Sequence, residues 1–183
     1  MQEKNIEVEI RSFISKEKYE KLLEFLKENA EFIKEDLQET HYFDCDEDLR
    51  IQKNKFGSKI WFKYGKIHDD AREELEIKMN EDDFDKAKKI FTSIGLCTEI
   101  KWLRDRKQFN WEGIKVCLDY TKGYGYIIEL EKMSSKEEKE KIFNELKEKF
   151  DKLNIEITLK EKFEKKFNDY KENWETLIEN AMD

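Results

Sequence analysis

Residues 5–13, Asn-Ile-Glu-Val-Glu-Ile-Arg-Ser-Phe, alternate apolar and polar side chains with a period of two. In an extended chain, successive side chains point to opposite faces. Ile6, Val8 and Ile10 therefore share one face, and Glu7, Glu9 and Arg11 share the other. The stretch predicts a half-buried strand that carries two carboxylates and a guanidinium on one side. The same arrangement recurs further along: Lys59, Trp61 and Lys63 share a face, as do Arg72, Glu74 and Glu76, Arg104 and Arg106, and Glu129 and Glu131. The opposite faces are apolar, with Ile60 and Phe62 in one strand and Ile128 and Leu130 in another. Taken singly, each is an ordinary strand with its charges in water, and each glutamate a surface ion-pair partner for a cross-strand lysine. Faces that mix both signs and repeat over distant strands have a second reading, in which the sheet closes and the charges line a lumen. Carboxylates facing one another there would be costly unless a ligand neutralised them. Hard divalent cations suit the glutamates, and phosphate oxygens suit the arginines and lysines. The pattern alone leaves both readings open.

Further strand patterns fall at about 31–45, 48–55, 59–66, 71–79, 99–111, 114–121 and 125–133, separated by short polar or glycine-bearing turns. Helical spacing covers 15–29, with Ser15 placed to cap, and 81–95, where Gly95 marks the stop. The tail is helical over about 135–153 and 161–181, around a short extended piece, Ile-Glu-Ile-Thr-Leu; its Lys/Glu runs read as solvated helix faces. No linker-like stretch interrupts the chain. Its 183 residues predict a single domain over 1–183, with a C-terminal helical tail from about 135 to 183. The expected fold class is α+β: a closed eight-stranded antiparallel β-barrel, or tunnel, with helices packed outside.

Composition narrows the function. Aromatic residues make up 13% of the chain, which argues against disorder even though 44% of residues are charged. No apolar run approaches the roughly 20 residues of a membrane span. The N-terminus lacks the apolar core of a signal peptide, so a cytoplasmic protein without membrane association is expected. Three cysteines, Cys45, Cys97 and Cys117, do not make a disulfide framework and read as small core or strand residues. A formal charge of −8 disfavours general nucleic-acid binding but says little about a small anion. Of 36 basic residues only five are arginine: Arg11, Arg50, Arg72, Arg104 and Arg106. A chain that chooses lysine so consistently keeps arginine where a planar, bidentate donor matters.

Ile-Glu-Val-Glu-Ile-Arg at 6–11 resembles the ExExK signature that opens proteins of the CYTH, or triphosphate tunnel, family, with Arg11 where lysine is usual. The resemblance continues in order through HYFD at 41–44, LRIQ at 49–52, WFK at 61–63 and REELE at 72–76. It then runs through RDRKQF at 104–109, VCLDYTKGYGYIIELE at 116–131 and EKFEKKF near the end. It implies an eight-stranded tunnel that binds a triphosphate through a divalent metal, Mg²⁺ or Mn²⁺. Glu7, Glu9 and Glu129 would bind the catalytic metal, with Glu131, Glu74 and Glu76 assisting or holding a second ion. Arg11, Arg50, Lys63, Arg72, Arg104 and Arg106 would grip phosphate oxygens, and Lys162 resembles a family lysine that reaches toward the tunnel. All five arginines fall on positions where the family places phosphate-binding cations. Two departures stand out: Gln52 replaces a common second arginine, and the turn Lys63-Tyr64-Gly65-Lys66 lacks the family's proline.

Three functions follow from the resemblance. The first is a phosphohydrolase acting on tripolyphosphate, ATP or thiamine triphosphate, and a slight preference goes to it. The others are a class IV adenylyl cyclase converting ATP to cyclic AMP and pyrophosphate, and a non-catalytic polyphosphate-binding module. The chain is expected to be a monomer or homodimer. Gly123 and Gly125 read as turn residues rather than a nucleotide loop. His41 and His68 are too few for a histidine metal site. Tyr42, Trp61 and Phe109 either stack on an organic group or pack as core and wall.

Overall fold

The computed structural model describes residues 6–64 and 74–181. In chain order these residues form β1 (Ile6–Ile14), α1 (Lys16–Asn29), β2 (Glu31–Phe43), β3 (Asp48–Asn54), β4 (Gly57–Lys63), β5 (Glu74–Met79), α2 (Asp83–Ser93), β6 (Thr98–Trp111), β7 (Ile114–Thr121), β8 (Gly125–Ser134), α3 (Lys139–Lys152) and α4 (Lys160–Asn180). The eight strands make one sheet in the order β1-β8-β7-β6-β2-β3-β4-β5. β1–β8, β2–β3, β3–β4 and β4–β5 pair antiparallel. An α+β fold on an eight-stranded sheet is thus as expected. Closure is not: among the described residues β1 and β5 stand at the two ends of the hydrogen-bonded order, and no ladder joins them. No helix is long and apolar enough to cross a membrane among the described residues.

Two compact units divide the chain. The first contains the described residues of 6–35, 106–120 and 125–163; the second contains those of 36–105, 121–124 and 164–181. In the first, Ser15 caps α1 by accepting from the Lys18 N–H, and Tyr19, Leu22 and Leu26 form one buried face of that helix. α3 buries Ile142, Leu146 and Phe150, spaced four apart. Both faces pack on Val8, Ile10, Ile128, Leu130, Ile114, Val116 and Leu118. Each fully buried aliphatic side chain stabilises by about 1.5–3 kcal/mol. That commitment decides the site, because the even-numbered side chains of β1, β7 and β8 go under the helices. Their odd-numbered neighbours are then forced onto the opposite face. The extended piece after α3 is not a strand. It is tied to β1 by Ser12, whose hydroxyl donates to the Glu156 carbonyl, and by the Phe13 N–H, which donates to Thr158 Oγ1 at 3.1 Å.

In the second unit, Phe84 and Ala87 of α2 pack on Phe43 and Ile51. Tyr170 of α4 lies against Trp102 and Tyr124 and donates its hydroxyl to the Lys101 carbonyl at 2.9 Å. Gly123 turns the chain at φ +73°, and any Cβ there would come within 2.8 Å of the Leu177 backbone. It is the turn residue that the sequence predicted.

Candidate active site

In the first unit, the face opposite the helices gathers Glu7, Glu9 and Arg11 of β1, Glu129 and Glu131 of β8, Lys115, Cys117 and Asp119 of β7, and Arg106 of β6. Glu9 is directly cross-strand from Glu131, and Arg11 from Glu129. A like-charged cross-strand pair is destabilising, and both carboxyls are raised besides, chiefly by burial. Burial, then the charge of Glu129, raises the Glu9 carboxyl to about 7, with Glu131 and Glu7 adding and Arg11 opposing. Burial also raises Glu131, against a hydrogen bond from Lys115. Arg106 is the main counter-charge. Its Nε donates to Asp119 Oδ1 at 2.8 Å and its Nη2 to Asp119 Oδ2 at 2.6 Å, while Nη2 also reaches Glu129. Burial works against its charge, but Glu129 and Asp119 outweigh that and raise its pKa further. Lys115 Nζ pairs with Glu131 at 2.5 Å. The Arg11 guanidinium lies 4.7 Å from the centre of the Phe163 ring and 3.9 Å from Glu9.

These donors suit a divalent cation. Oxygens of Glu129 and Glu131 and the Cys117 sulfur all lie within 4.8 Å of one another, and all three residues are buried. The carboxylate oxygens are the ligands that Mg²⁺ and Mn²⁺ prefer. On β1, β6, β7 and β8 this face carries five carboxylates (Glu7, Glu9, Asp119, Glu129, Glu131) and three cations (Arg11, Arg106, Lys115). Carboxylates outnumber cations there, and the raised Glu9 carboxyl holds a proton up to about neutral pH, which a divalent ion would displace.

The second unit holds a cationic group. Arg50 makes a two-pronged contact with Asp48 and lies 4.3 Å from the Tyr42 ring centre and 5.3 Å from that of Trp61. Lys59 and Lys63 sit 3.8 and 4.3 Å from the same indole. The indole Nε1 is buried and, among the described residues, has no hydrogen-bond partner. Arg104 Nε donates to Gln38 Oε1 at 2.9 Å. Gln52 is buried and donates to Thr40 Oγ1 at 2.9 Å; the position that departs from the family's arginine is thus a closed neutral pair. His41 is also buried. Its Nε2 lies 2.8 Å from Glu39, and this hydrogen bond is the main cause that lowers Glu39 to about 2, with Lys101 and Lys53 helping.

Of the predicted site residues, Glu7, Glu9, Arg11, Arg106, Glu129 and Glu131 come to one face of the first unit. Arg50, Lys63, Arg104 and Glu76 belong to the second, where Glu76 pairs with Lys59 at 2.7 Å. Arg72 and the Glu74 side chain lie outside the described residues, as do His68 and the end of the turn after Lys63. Lys162 stands exposed on the first turn of α4; its neighbour Phe163 is the residue that carries Arg11. Phe109 is fully buried in the core and so packs rather than stacks on a ligand. Sequence reasoning missed Asp119, Cys117 and Lys115 as site residues. Their odd-numbered spacing along 114–121, opposite Val116 and Leu118, is the signal that places them on the charged face.

The CYTH domain family matches residues 5–167, and the chain belongs to that family. It is 34% identical over 163 residues to a candidate adenylate cyclase of Methanocaldococcus jannaschii, covering 82% of this chain and 90% of that one. A conserved protein of unassigned function from Pyrococcus furiosus has a structure similar to this one, with a TM-score of 0.66 at 25% identity, over 82% of this chain and 91% of that one. A Hippeastrum protein described as a candidate adenylyl cyclase with a dominant triphosphatase activity shares the fold. Its TM-score is 0.62 at 19% identity, over 85% of this chain and 89% of that one.

Proposed function

We propose that the chain is a divalent-metal-dependent phosphohydrolase acting on a triphosphate, inorganic or organic. The observation that carries this reading is the excess of carboxylates on the first unit's charged face, where Glu9 and Glu131 oppose each other across β1 and β8. Glu9, Glu129 and Glu131, with Glu7, would hold Mg²⁺ or Mn²⁺. The bound ion would supply charge to offset the build-up on phosphoryl oxygens as a P–O bond breaks. Arg11, steadied on the Phe163 ring, would offer its guanidinium to phosphate oxygens. Arg106 has its fork engaged by Asp119 and Glu129, so its role is to fix Glu129 in place. Lys63 and Arg104 would be the further phosphate donors that the family implies, whereas Arg50, like Arg106, has its fork engaged, by Asp48.

A second reading, the cyclisation of ATP to cyclic AMP and pyrophosphate, is favoured by the resemblance to the Methanocaldococcus protein. Incubation with ATP, tripolyphosphate or thiamine triphosphate plus Mg²⁺ or Mn²⁺, resolving phosphate, pyrophosphate and cyclic AMP, separates the two. Phosphate release that chelator abolishes, and that Glu9→Gln lacks, is expected. Cyclic AMP as the main product would replace the hydrolase with the cyclase. No product from any triphosphate would overturn both.

A further inference from the structure

The hydrogen-bonded strand order ends at β5, and among the described residues no strand lies beyond it. Its six residues pair with β4 without a bulge, from Lys63↔Glu74 to Ser58↔Met79. The chain has no proline that could blunt the edge. Among the described residues, the outer side of β5 therefore presents backbone N–H and C=O groups as a template for another strand.

Both faces of the strand are unfinished as well. Register sets two apolar rows across the sheet: Ile51, Ile60 and Ile77 in one, and Leu49, Phe62 and Leu75 in the next. Ile51 is fully buried with Phe84 and Ala87 of α2, and Ile60 and Met79 pack against the same cluster. Cover stops there, because Ile77 is 61% and Leu75 51% exposed. On the opposite face Lys78 stands directly cross-strand from Lys59, a like-charged pair that is destabilising. Lys59 is in turn held by Glu76 at 2.7 Å.

The strand that completes both faces is β5 itself, Glu-Leu-Glu-Ile-Lys-Met. Set antiparallel to a second copy around a twofold axis through Ile77, Ile77 meets Ile77. Leu75 then meets Met79 and Glu76 meets Lys78, both twice by symmetry. Apolar side chains pair on one face and opposite charges on the other. The neighbouring registers that keep the faces matched are centred on Glu76 or Lys78, and each sets like charges at the axis. We propose that β5 is a self-complementary interface, through which two copies of this chain join edge to edge into one continuous sheet. A six-residue edge lies at the small end of specific interfaces, so the dimer is reversible, with a Kd on the order of 10 µM.

Sedimentation equilibrium of the full chain, in chelator and from well below to well above that Kd, provides the test. The wild type should pass from monomer to dimer. Ile77→Lys sets two cations at the axis and should raise Kd about tenfold or more. Lys78→Glu should do the same, since Glu76 then meets a carboxylate of the second copy. Within its own chain that change gives Lys59 an opposite charge, so the fold is kept, which circular dichroism checks. Glu76→Lys/Lys78→Glu exchanges the two charges and should reverse the loss, a rescue that damage to the fold would not show. If Ile77→Lys does not fold, Lys78→Glu and the charge exchange decide the matter. A monomer at every concentration, a dimer that none of these changes weakens, or a charge exchange as weak as Lys78→Glu alone would overturn the proposal.

Discussion

The pairing of Arg106 with two carboxylates makes Arg106→Lys an informative change, because charge is kept while geometry is lost. The guanidinium makes three charge-assisted contacts, two to Asp119 and one to Glu129, with only 12% of the side chain exposed. A lysine ammonium is a single point on a flexible stem and can satisfy one carboxylate but not hold both in one plane. Hydrogen bonds to charged groups contribute about 1.5–3 kcal/mol each. Losing two and keeping one leaves a buried carboxylate short of its partner, so a cost of about 3–5 kcal/mol is expected, the range for a broken buried pair. For a chain of this size about 2–4 °C accompanies each kcal/mol, so the melting midpoint should fall by roughly 6–20 °C. Urea unfolding of Arg106→Lys, Asp119→Asn and the double variant provides the check. The pair should couple by about 2 kcal/mol or more in the cycle, while Lys139→Ala on α3 should leave the midpoint unchanged. A midpoint for Arg106→Lys indistinguishable from wild type, or strictly additive single changes, would refute the claim that the fork is an internal brace.

Other expectations rest on separate observations. Glu9 has a folded pKa of about 7 against an ordinary 4.5, so in chelator its contribution to stability is full below about pH 4.5 and disappears as pH rises through 7. The metal-free midpoint should therefore fall between pH 5 and 8, and Glu9→Gln should flatten that slope; a rising midpoint in the wild type would contradict the assignment. Glu39, held near 2, acts in the opposite sense, with stability lost as pH falls below about 4.5 toward 2, so the two windows do not overlap. Because the cation must displace the Glu9 proton, Mn²⁺ affinity measured by calorimetry should weaken by up to about tenfold per pH unit below 7, and pH-independent affinity would exclude Glu9 as a ligand. Tripolyphosphate with Mg²⁺ should raise the midpoint, since a ligand at about a hundredfold excess over Kd contributes roughly 2.7 kcal/mol. Orthophosphate giving the same rise would argue against a site that spans several phosphates.

Most of the fold was legible because its strands alternate cleanly. The pattern at 5–13 became β1 (Ile6–Ile14), Ser15 is the cap of α1, and the strand expected at 114–121 is β7 (Ile114–Thr121). Boundaries shifted where solvated helix faces carry little apolar signal. α3 begins at Lys139 rather than near 135, because Ser134 and Ser135 are buried at the strand end and stay outside the helix. Closure of the sheet was beyond the reach of pattern. Parity says which side chains share a face, and nothing in it says which strand edge meets which.

The site was legible to the same depth and stopped for the same reason. Parity put Glu7, Glu9 and Arg11 together, and Glu129 with Glu131, but it could not say that Arg11 opposes Glu129 while Glu9 opposes Glu131. Register makes that difference: a slip of two residues would set Arg11 opposite Glu131 and Glu9 opposite Met133, or Arg11 opposite Ile127 and Glu9 opposite Glu129. Nor could the arginine census distinguish an arginine that faces a ligand from one that braces a carboxylate. Arg106 and Arg50 both spend their forks on a neighbouring aspartate, Asp119 and Asp48. Bidentate geometry, the property that marks arginine as a phosphate ligand, serves equally to fix an acidic side chain. A fork so engaged in the first unit fixes Glu129 beside Glu131 despite their mutual repulsion. The excess of carboxylates on the folded face is therefore not relieved by side-chain rearrangement; without metal a proton on Glu9, whose carboxyl is raised to about 7, offsets part of it, and a divalent ion would take that proton's place.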